Sequence, residues 1–161
     1  MLQVERAHST VHKWVQKADG QPTDSSQSDH IALDETAIHL DDQRDWLYAA
    51  VDPETNKFLH VRLFLMRNEG VTSIFLSELT EKHDVDDAVF LVDSGPWLKV
   101  SLNRYGLRFR HETHGNRNAV ERLFQEVKRR TYQFGNCFRN AGPNTAETWL
   151  QSYAYVWNQR N

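Results

Sequence analysis

The sequence predicts an α/β domain, a mixed five-stranded sheet flanked by helices. Three observations predict it. Three β-branched or aromatic runs succeed one another between residues 31 and 65, separated by short polar turns, which is the pattern of an antiparallel meander. Helical and extended patterns then alternate as far as His111, as they do when helices cover both faces of a sheet. Two amphipathic helical segments follow.

Val4 to Ala18 has helical spacing, with Val4, Ala7, Val11, Trp14, Val15 and Ala18 three or four residues apart, and Asp19-Gly20 ends it. A plain amphipathic helix accounts for this spacing. Gln21 to Asp29 contains no hydrophobic residue, so residues 21–30 are a linker. The expected strands are Ile31–Ile38, Trp46–Val51 and Lys57–Leu65. Asp41, Asp42 and Asp45 crowd the first turn and are expected in solvent, while Asp52-Pro53 opens the second turn. Thr72–His83 reads as a helix with Thr72 or Ser73 as N-cap. Ala88–Val92 is a continuous apolar strand. Pro96–Tyr105 is a helix stopped by Gly106, and Leu107–His111 is a short strand. Asn118–Phe134 and Thr145–Trp157 are the closing helices. Trp97, Trp149 and Trp157 are expected to pack in the core, as is Cys137.

The 161 residues suit one domain with a short appendage, large enough to bury a core without disulfides. No run of about 18 apolar residues could span a bilayer, and no basic-then-apolar leader precedes the first helix. One cysteine excludes an intrachain disulfide or a cysteine-rich zinc site, which fits a reducing, cytoplasmic setting. The net charge of −3 is a cancellation. Residues 1–93 carry 8 Lys+Arg against 18 Asp+Glu, and residues 94–161 carry 11 against 4. The basic half could face a polyanion or could simply be solvated.

Three carboxylates stand out. Asp34 interrupts the apolar run Ile31–Ile38, where a strand disfavours Asp. Asp93 follows Ala88–Val92, at the strand end where open sheets gather their sites, although it could equally cap the next helix. Glu121 lies at the edge of the stripe Val120, Leu123, Phe124, Val127 and Thr131, on the same face as Lys128. Arg122 and Arg129 point more toward solvent. The bland reading of Glu121 is a surface acid paired with Arg122 or Arg117. Convergent carboxylates at sheet level repel one another unless a cation neutralises them, and hard oxygen ligands favour Mg²⁺ or Mn²⁺. Such ions serve in-line phosphoryl transfer. His111, Glu112 and His114 resemble part of a zinc site but lack further ligands, so His114 is expected at phosphate or lining the site.

Several blocks are recognisable. They are Ala32-Leu-Asp-Glu-Thr, Trp46-Leu-Tyr-Ala-Ala-Val-Asp-Pro-Glu-Thr, Phe90-Leu-Val-Asp, and above all His114-Gly-Asn-Arg-Asn-Ala-Val-Glu-Arg-Leu-Phe-Gln-Glu-Val-Lys-Arg-Arg-Thr. From about residue 4 onward the chain resembles the DDE transposases of IS6-type insertion sequences, especially those of halophilic archaea. The resemblance implies an RNase H-like, retroviral-integrase-like fold over residues 31–161. It implies that Asp34, Asp93 and Glu121 are catalytic and hold Mg²⁺ or Mn²⁺, and that Lys128 contacts DNA near the reacting phosphate. Arg117, Asn118, His114 and Arg129 are the other expected DNA contacts in the basic half, which also includes Arg108, Arg110, Arg122, Arg130 and Arg139. Residues 1–20 would be a truncated remnant of a helix-turn-helix that reads the terminal inverted repeat, with His12 and Lys13 among Ser9, Thr10 and Gln16 facing the groove. The Asp93–Glu121 spacing is shorter than in many bacterial relatives, around Tyr105-Gly106-Leu107.

The expected partners are double-stranded DNA, both terminal repeats and target, and further copies of the chain in a synaptic complex. No membrane partner is expected, and the setting is cytoplasmic, at the nucleoid. The expected activity is metal-dependent phosphodiester hydrolysis and strand transfer. The alternatives are an idle remnant that binds DNA or co-assembles with an intact transposase, and a nuclease that cuts without joining.

Overall fold

The computed structural model describes residues 27–40, 43–133 and 141–161, with the side chains of residues 131–133 also left aside. The Val4–Ala18 helix, the linker before residue 27, Asp41, Asp42, Cys137 and Arg139 lie outside the described residues. The element order is β1 (His30–Leu40), β2 (Gln43–Asp52), β3 (Lys57–Phe64), α1 (Glu69–Lys82), β4 (Val89–Val92), α2 (Pro96–Arg104), β5 (Arg108–His111), a 3₁₀ turn (Gly115–Arg117), α3 (Asn118–Gln133) and α4 (Pro143–Asn158).

The five strands form one sheet in the order β3-β2-β1-β4-β5. β1, β2 and β3 are the antiparallel meander, while β4 runs parallel to β1 and β5 parallel to β4. The mixed sheet is therefore as expected, and β1 joins its antiparallel half to its parallel half.

Strand alternation divides the core in two. Ala32, Ile38, Leu47, Ala49, Val51, Phe58 and Val61 face α3 and α4, meeting Val120, Leu123, Phe124, Val127, Leu150 and Ala154. Ile31, Leu33, Tyr48, Ala50, Leu59, Phe90 and Val92 face α1 and α2, meeting Phe75, Leu76, Leu79, Leu98 and Leu102. Both faces are covered, so consecutive strand residues are apolar and the sequence shows runs instead of a polar-apolar alternation. Trp97, Trp149 and Trp157 are partly buried against these clusters.

The β3 edge is closed by side chains of α4 and of the residue after α1. Asn158 Oδ1 accepts from Phe58 N–H at 2.8 Å and its Nδ2 donates to Phe58 C=O at 2.7 Å. Glu147 Oε1 accepts from Leu63 N–H, and His83 Nε2 donates to Leu59 C=O. Backbone groups that would otherwise invite another strand are thus occupied.

Several details differ from expectation, among them β1 and β2, which run to Leu40 and from Gln43. α1 starts earlier, capped by Asn68, whose Oδ1 accepts from Val71 N–H at 3.0 Å. Thr72, expected as a cap, is buried, and its hydroxyl donates to Asn68 C=O. The earlier turn forms because Asn68 offers the cap and Glu69 suits the first turn. Asp45, expected in solvent, is fully buried in β2 and accepts from Gln43 Nε2 at 2.7 Å.

His60 lies wholly buried between β3 and α1, its ring 4.8 Å from that of Phe75. Its Nε2 is 2.9 Å from Glu78 Oε2, and its Nδ1 faces Lys82 Nζ at 3.5 Å. Burial, then the charges of Lys82 and Arg62, push its pKa down to about 3. The ring is therefore neutral, and the Glu78 contact is a hydrogen bond rather than an ion pair. The unfolded chain takes up this proton below the ordinary pKa near 6.5, whereas the folded chain resists it. The stability contributed by neutral His60 is full above pH 6.5 and declines as pH falls toward about 3. By pH 5 the loss amounts to about 2 kcal/mol. His60→Gln should remove that part of the slope in urea unfolding midpoints between pH 8 and 5. An unchanged slope contradicts the assignment.

Candidate active site

The parallel pairing of β1 and β4 sets up the site. His30, Ile31 and Ala32 pair with Val89, Phe90 and Leu91. Carried two residues further, the same register brings Asp34 level with Asp93. Asp34 shares the sheet face of Ala32, which is the α3 face, and is 9% exposed. Asp93 lies just past the C-terminal end of β4, and its Oδ1 accepts from Gly95 N–H at 2.8 Å. This bond forms the turn into α2, whose cap position is held by Gly95 without a side-chain bond. Glu121 comes from the first turn of α3, where the partial positive charge of the helix N-terminus favours an acid.

Arg117 joins the three. Its Nη2 donates to Asp34 Oδ2 at 2.7 Å and lies 3.5 Å from Asp93 Oδ2. Its Nη1 donates to Glu121 Oε1 at 2.6 Å. The Arg117 side chain is 8% exposed, whereas those of Asp93 and Glu121 are 41% and 43% exposed. Burial pushes the Asp34 carboxyl up to about 6. Arg117 and the Glu35 N–H, which donates to Asp34 Oδ1, draw it back, while Asp93 and Glu121 add to the rise. The acids are therefore close enough to feel one another, and one guanidinium compensates all three.

Among the described residues no three His, Cys, Asp or Glu side chains form a ready metal cage. In the acid cluster the guanidinium stands where the three carboxylates converge. The donor set nevertheless fits Mg²⁺ or Mn²⁺, since it consists of hard carboxylate oxygens whose combined negative charge exceeds that of one arginine.

The remaining expected residues divide. Arg117, expected as a DNA contact, is turned inward, because three carboxylates attract its guanidinium more strongly than solvent does. Lys128 Nζ donates to Thr36 Oγ1 at 2.6 Å, two residues along β1 from Asp34. Glu121 and Lys128 thus share the sheet-facing edge of α3 as their spacing predicts. Arg129 is exposed and bonds Glu126 at 2.6 Å and 2.8 Å. His114 is exposed at the start of the 3₁₀ turn, and half-buried Asn118 ends it. His12 and Lys13 are outside the described residues.

Glu35 and Arg67 were not singled out by the sequence. Glu35 points to the opposite sheet face from Asp34, with a side chain 5% exposed. It accepts from Trp97 Nε1 at 3.2 Å and lies 3.5 Å from Arg67 Nη1. The Arg67 guanidinium lies over the rings of Trp46 and Trp97. Burial, then the charges of Asp34 and Asp93, push the Glu35 carboxyl up to about 7. The available signal was a second acid beside Asp34 inside an apolar strand, whereas Arg67 carried none.

Arg117 is delivered by a tight loop. Gly115 has φ of +77°, and a Cβ there would lie 2.8 Å from Glu112 Oε1. That oxygen already accepts from Asn116 N–H at 3.0 Å. Gly106 has φ of +67° but open space around it. Gly106→Ala should cost about 1 kcal/mol for its backbone alone, and Gly115→Ala about 1 kcal/mol more because the Glu112 bond must break. Equal costs in chemical unfolding would show that Glu112 does not hold this loop.

No protein-family model matches the chain. It is 33% identical over 129 residues to an uncharacterized protein of Methanocaldococcus jannaschii, covering 80% of this chain and 60% of that protein. It is 40% identical over 50 residues to an uncharacterized protein of Aquifex aeolicus, covering 31% of this chain and 41% of that protein. The chain thus spans less than two thirds of the length of either relative. Among solved structures it is similar to the catalytic core domain of BIV integrase, with a TM-score of 0.58 and 14% identity over 80% of this chain and 82% of that one. It is similar to a chain of the simian T-cell lymphotropic virus intasome in complex with the PP2A regulatory subunit B56 gamma (TM-score 0.61, 13% identity, 80% and 48% covered). It is also similar to the HTLV-2 integrase catalytic core domain in complex with magnesium (TM-score 0.55, 14% identity, 81% and 84% covered). The mixed five-stranded sheet between helical layers is the RNase H-like fold of these integrase catalytic cores.

Proposed function

We propose that the chain is the catalytic part of a DNA transposase of the IS6 type, acting by metal-dependent phosphodiester hydrolysis and strand transfer at insertion-sequence ends. The observation that carries this reading is the convergence of Asp34, Asp93 and Glu121, from two strands and a helix, on a single cationic group. The fold shared with integrase cores and the sequence block around Glu121 support it.

Asp34, Asp93 and Glu121 would hold Mg²⁺ or Mn²⁺, which supplies charge stabilisation at the attacking and leaving oxygens of an in-line displacement. The protein's own contribution is placement. Backbone N–H groups of Glu35 and Gly95 orient the two aspartates in advance. Half-exposed Asp93 and Glu121 keep the cluster open to a DNA phosphate. Lys128, beside Thr36, takes a neighbouring backbone phosphate, and Asn118, His114 and Arg129 extend the contact. Arg129, which forks onto both oxygens of Glu126, would exchange those bonds for phosphate. These contacts give affinity without sequence preference. Reading of the terminal repeat falls to residues 1–20, with His12 and Lys13 at the groove. Synapsis of two ends joins at least two protomers.

Asp34→Asn, Asp93→Asn and Glu121→Gln should each lower strand transfer of a terminal-repeat duplex at least about 100-fold, with circular dichroism unchanged. Joining retained in any one of them overturns the triad. Cutting without joining by the parent chain overturns strand transfer and leaves a nuclease.

A further inference from the structure

Arg117 is the buried cation that the reading above leaves without a task. Its guanidinium engages Asp34 Oδ2 and Glu121 Oε1 directly and lies beside Asp93 Oδ2. The other oxygens of the two aspartates already accept backbone N–H groups. The carboxylate oxygens aimed at the centre of the cluster are therefore the ones the guanidinium holds. Its Nε has no hydrogen-bond partner among the described residues. The acids, and not a surrounding cradle, therefore hold the guanidinium in place. A divalent cation at the same oxygens would meet a positive charge within a few ångströms, which repels it.

We propose that Arg117 is a resident counter-cation of the acid cluster, which holds the three carboxylates together without metal and is displaced from Asp34 and Glu121 when a divalent ion enters. This rests on the metal-binding reading of the triad. Two consequences follow. Without metal, Arg117 stabilises the fold, because unpaired buried Asp34 would stand among like charges. With metal, the same residue weakens binding, because its bonds must be exchanged for those of the ion. Arg117 is a positioning residue, acting on the substrate only through the acids.

The test is Mn²⁺ binding to the full chain, followed by electron paramagnetic resonance, together with melting temperatures in EDTA and in saturating Mn²⁺. Arg117→Gln should melt lower than the parent in EDTA, bind Mn²⁺ at least about tenfold more tightly, and gain more in melting temperature from the ion. Arg117→Lys, which keeps the charge without the fork, should lie between the two. Unchanged or weaker Mn²⁺ binding by folded Arg117→Gln overturns the proposal. Should that variant fail to fold, the unmodified chain still decides. The guanidinium NMR signals of Arg117 should shift and exchange faster with solvent on titration with Mg²⁺, and an unaltered signal at saturation overturns the proposal. Asp34→Asn separates the two ideas. Mn²⁺ binding that needs Asp34 but ignores Arg117 refutes the counter-cation alone. Binding that ignores Asp34, or no binding at all, refutes both.

Discussion

The rest of the site depends on the meeting of one guanidinium with three carboxylates. Asp34 is nearly buried, and burial alone drives its carboxyl toward the protonated form. Two more acids beside it push in the same direction. Arg117 reverses part of that pressure and ties β1, the end of β4 and the first turn of α3 to one point. Removing one partner of such a buried group leaves charge uncompensated, which is why the geometry of the 3₁₀ turn matters. Gly115, with its left-handed backbone, is what lets that turn place Arg117 under the acids.

The sheet provides the rigid frame for this meeting. β1 is central, paired with β2 on one side and β4 on the other, and its alternate residues enter two different cores. Asp34 and Glu35 are therefore neighbours in sequence but lie on opposite faces. Asp34 meets Arg117, while Glu35 meets Trp97 and Arg67. Their charges still interact through the strand, since Asp34 is a cause of the raised Glu35 carboxyl. The side chains of α4 that close the β3 edge keep the antiparallel half from pairing elsewhere. No described helix is long and apolar enough to cross a membrane.

Much of this was legible in the residues, for definite reasons. The apolar run ending at Asp93 reads as a buried strand because parallel strands are covered on both faces. The seven-residue spacing of Glu121 and Lys128 puts both on one edge of α3, where Lys128 reaches Thr36 of β1 and Glu121 reaches Arg117. The stripe Val120, Leu123, Phe124 and Val127 is buried as its period requires. Asp45 is not legible as buried, because crowded acids around a turn ordinarily stay in water, and only the extension of β2 to Gln43 carries this one inside. Asn68 is not legible as a cap from the residues alone, because the buried residues of α1 begin only at Thr72, after the helix itself has started.

The sequence alone determined the order of the elements, the two-faced burial of the sheet and the acids at its key points: Asp34 inside a strand, Asp93 at a strand end and Glu121 at the edge of a helix stripe. Periodicity and residue chemistry are local properties, and a single chain displays them without folding. The tertiary structure decided what Arg117 does. Its spacing of four residues from Glu121 is local, but Asp34 is 83 residues away. Whether an arginine turns out to DNA or in to an acid is settled by the charges around it. Those charges come together only when β1, β4 and α3 have packed.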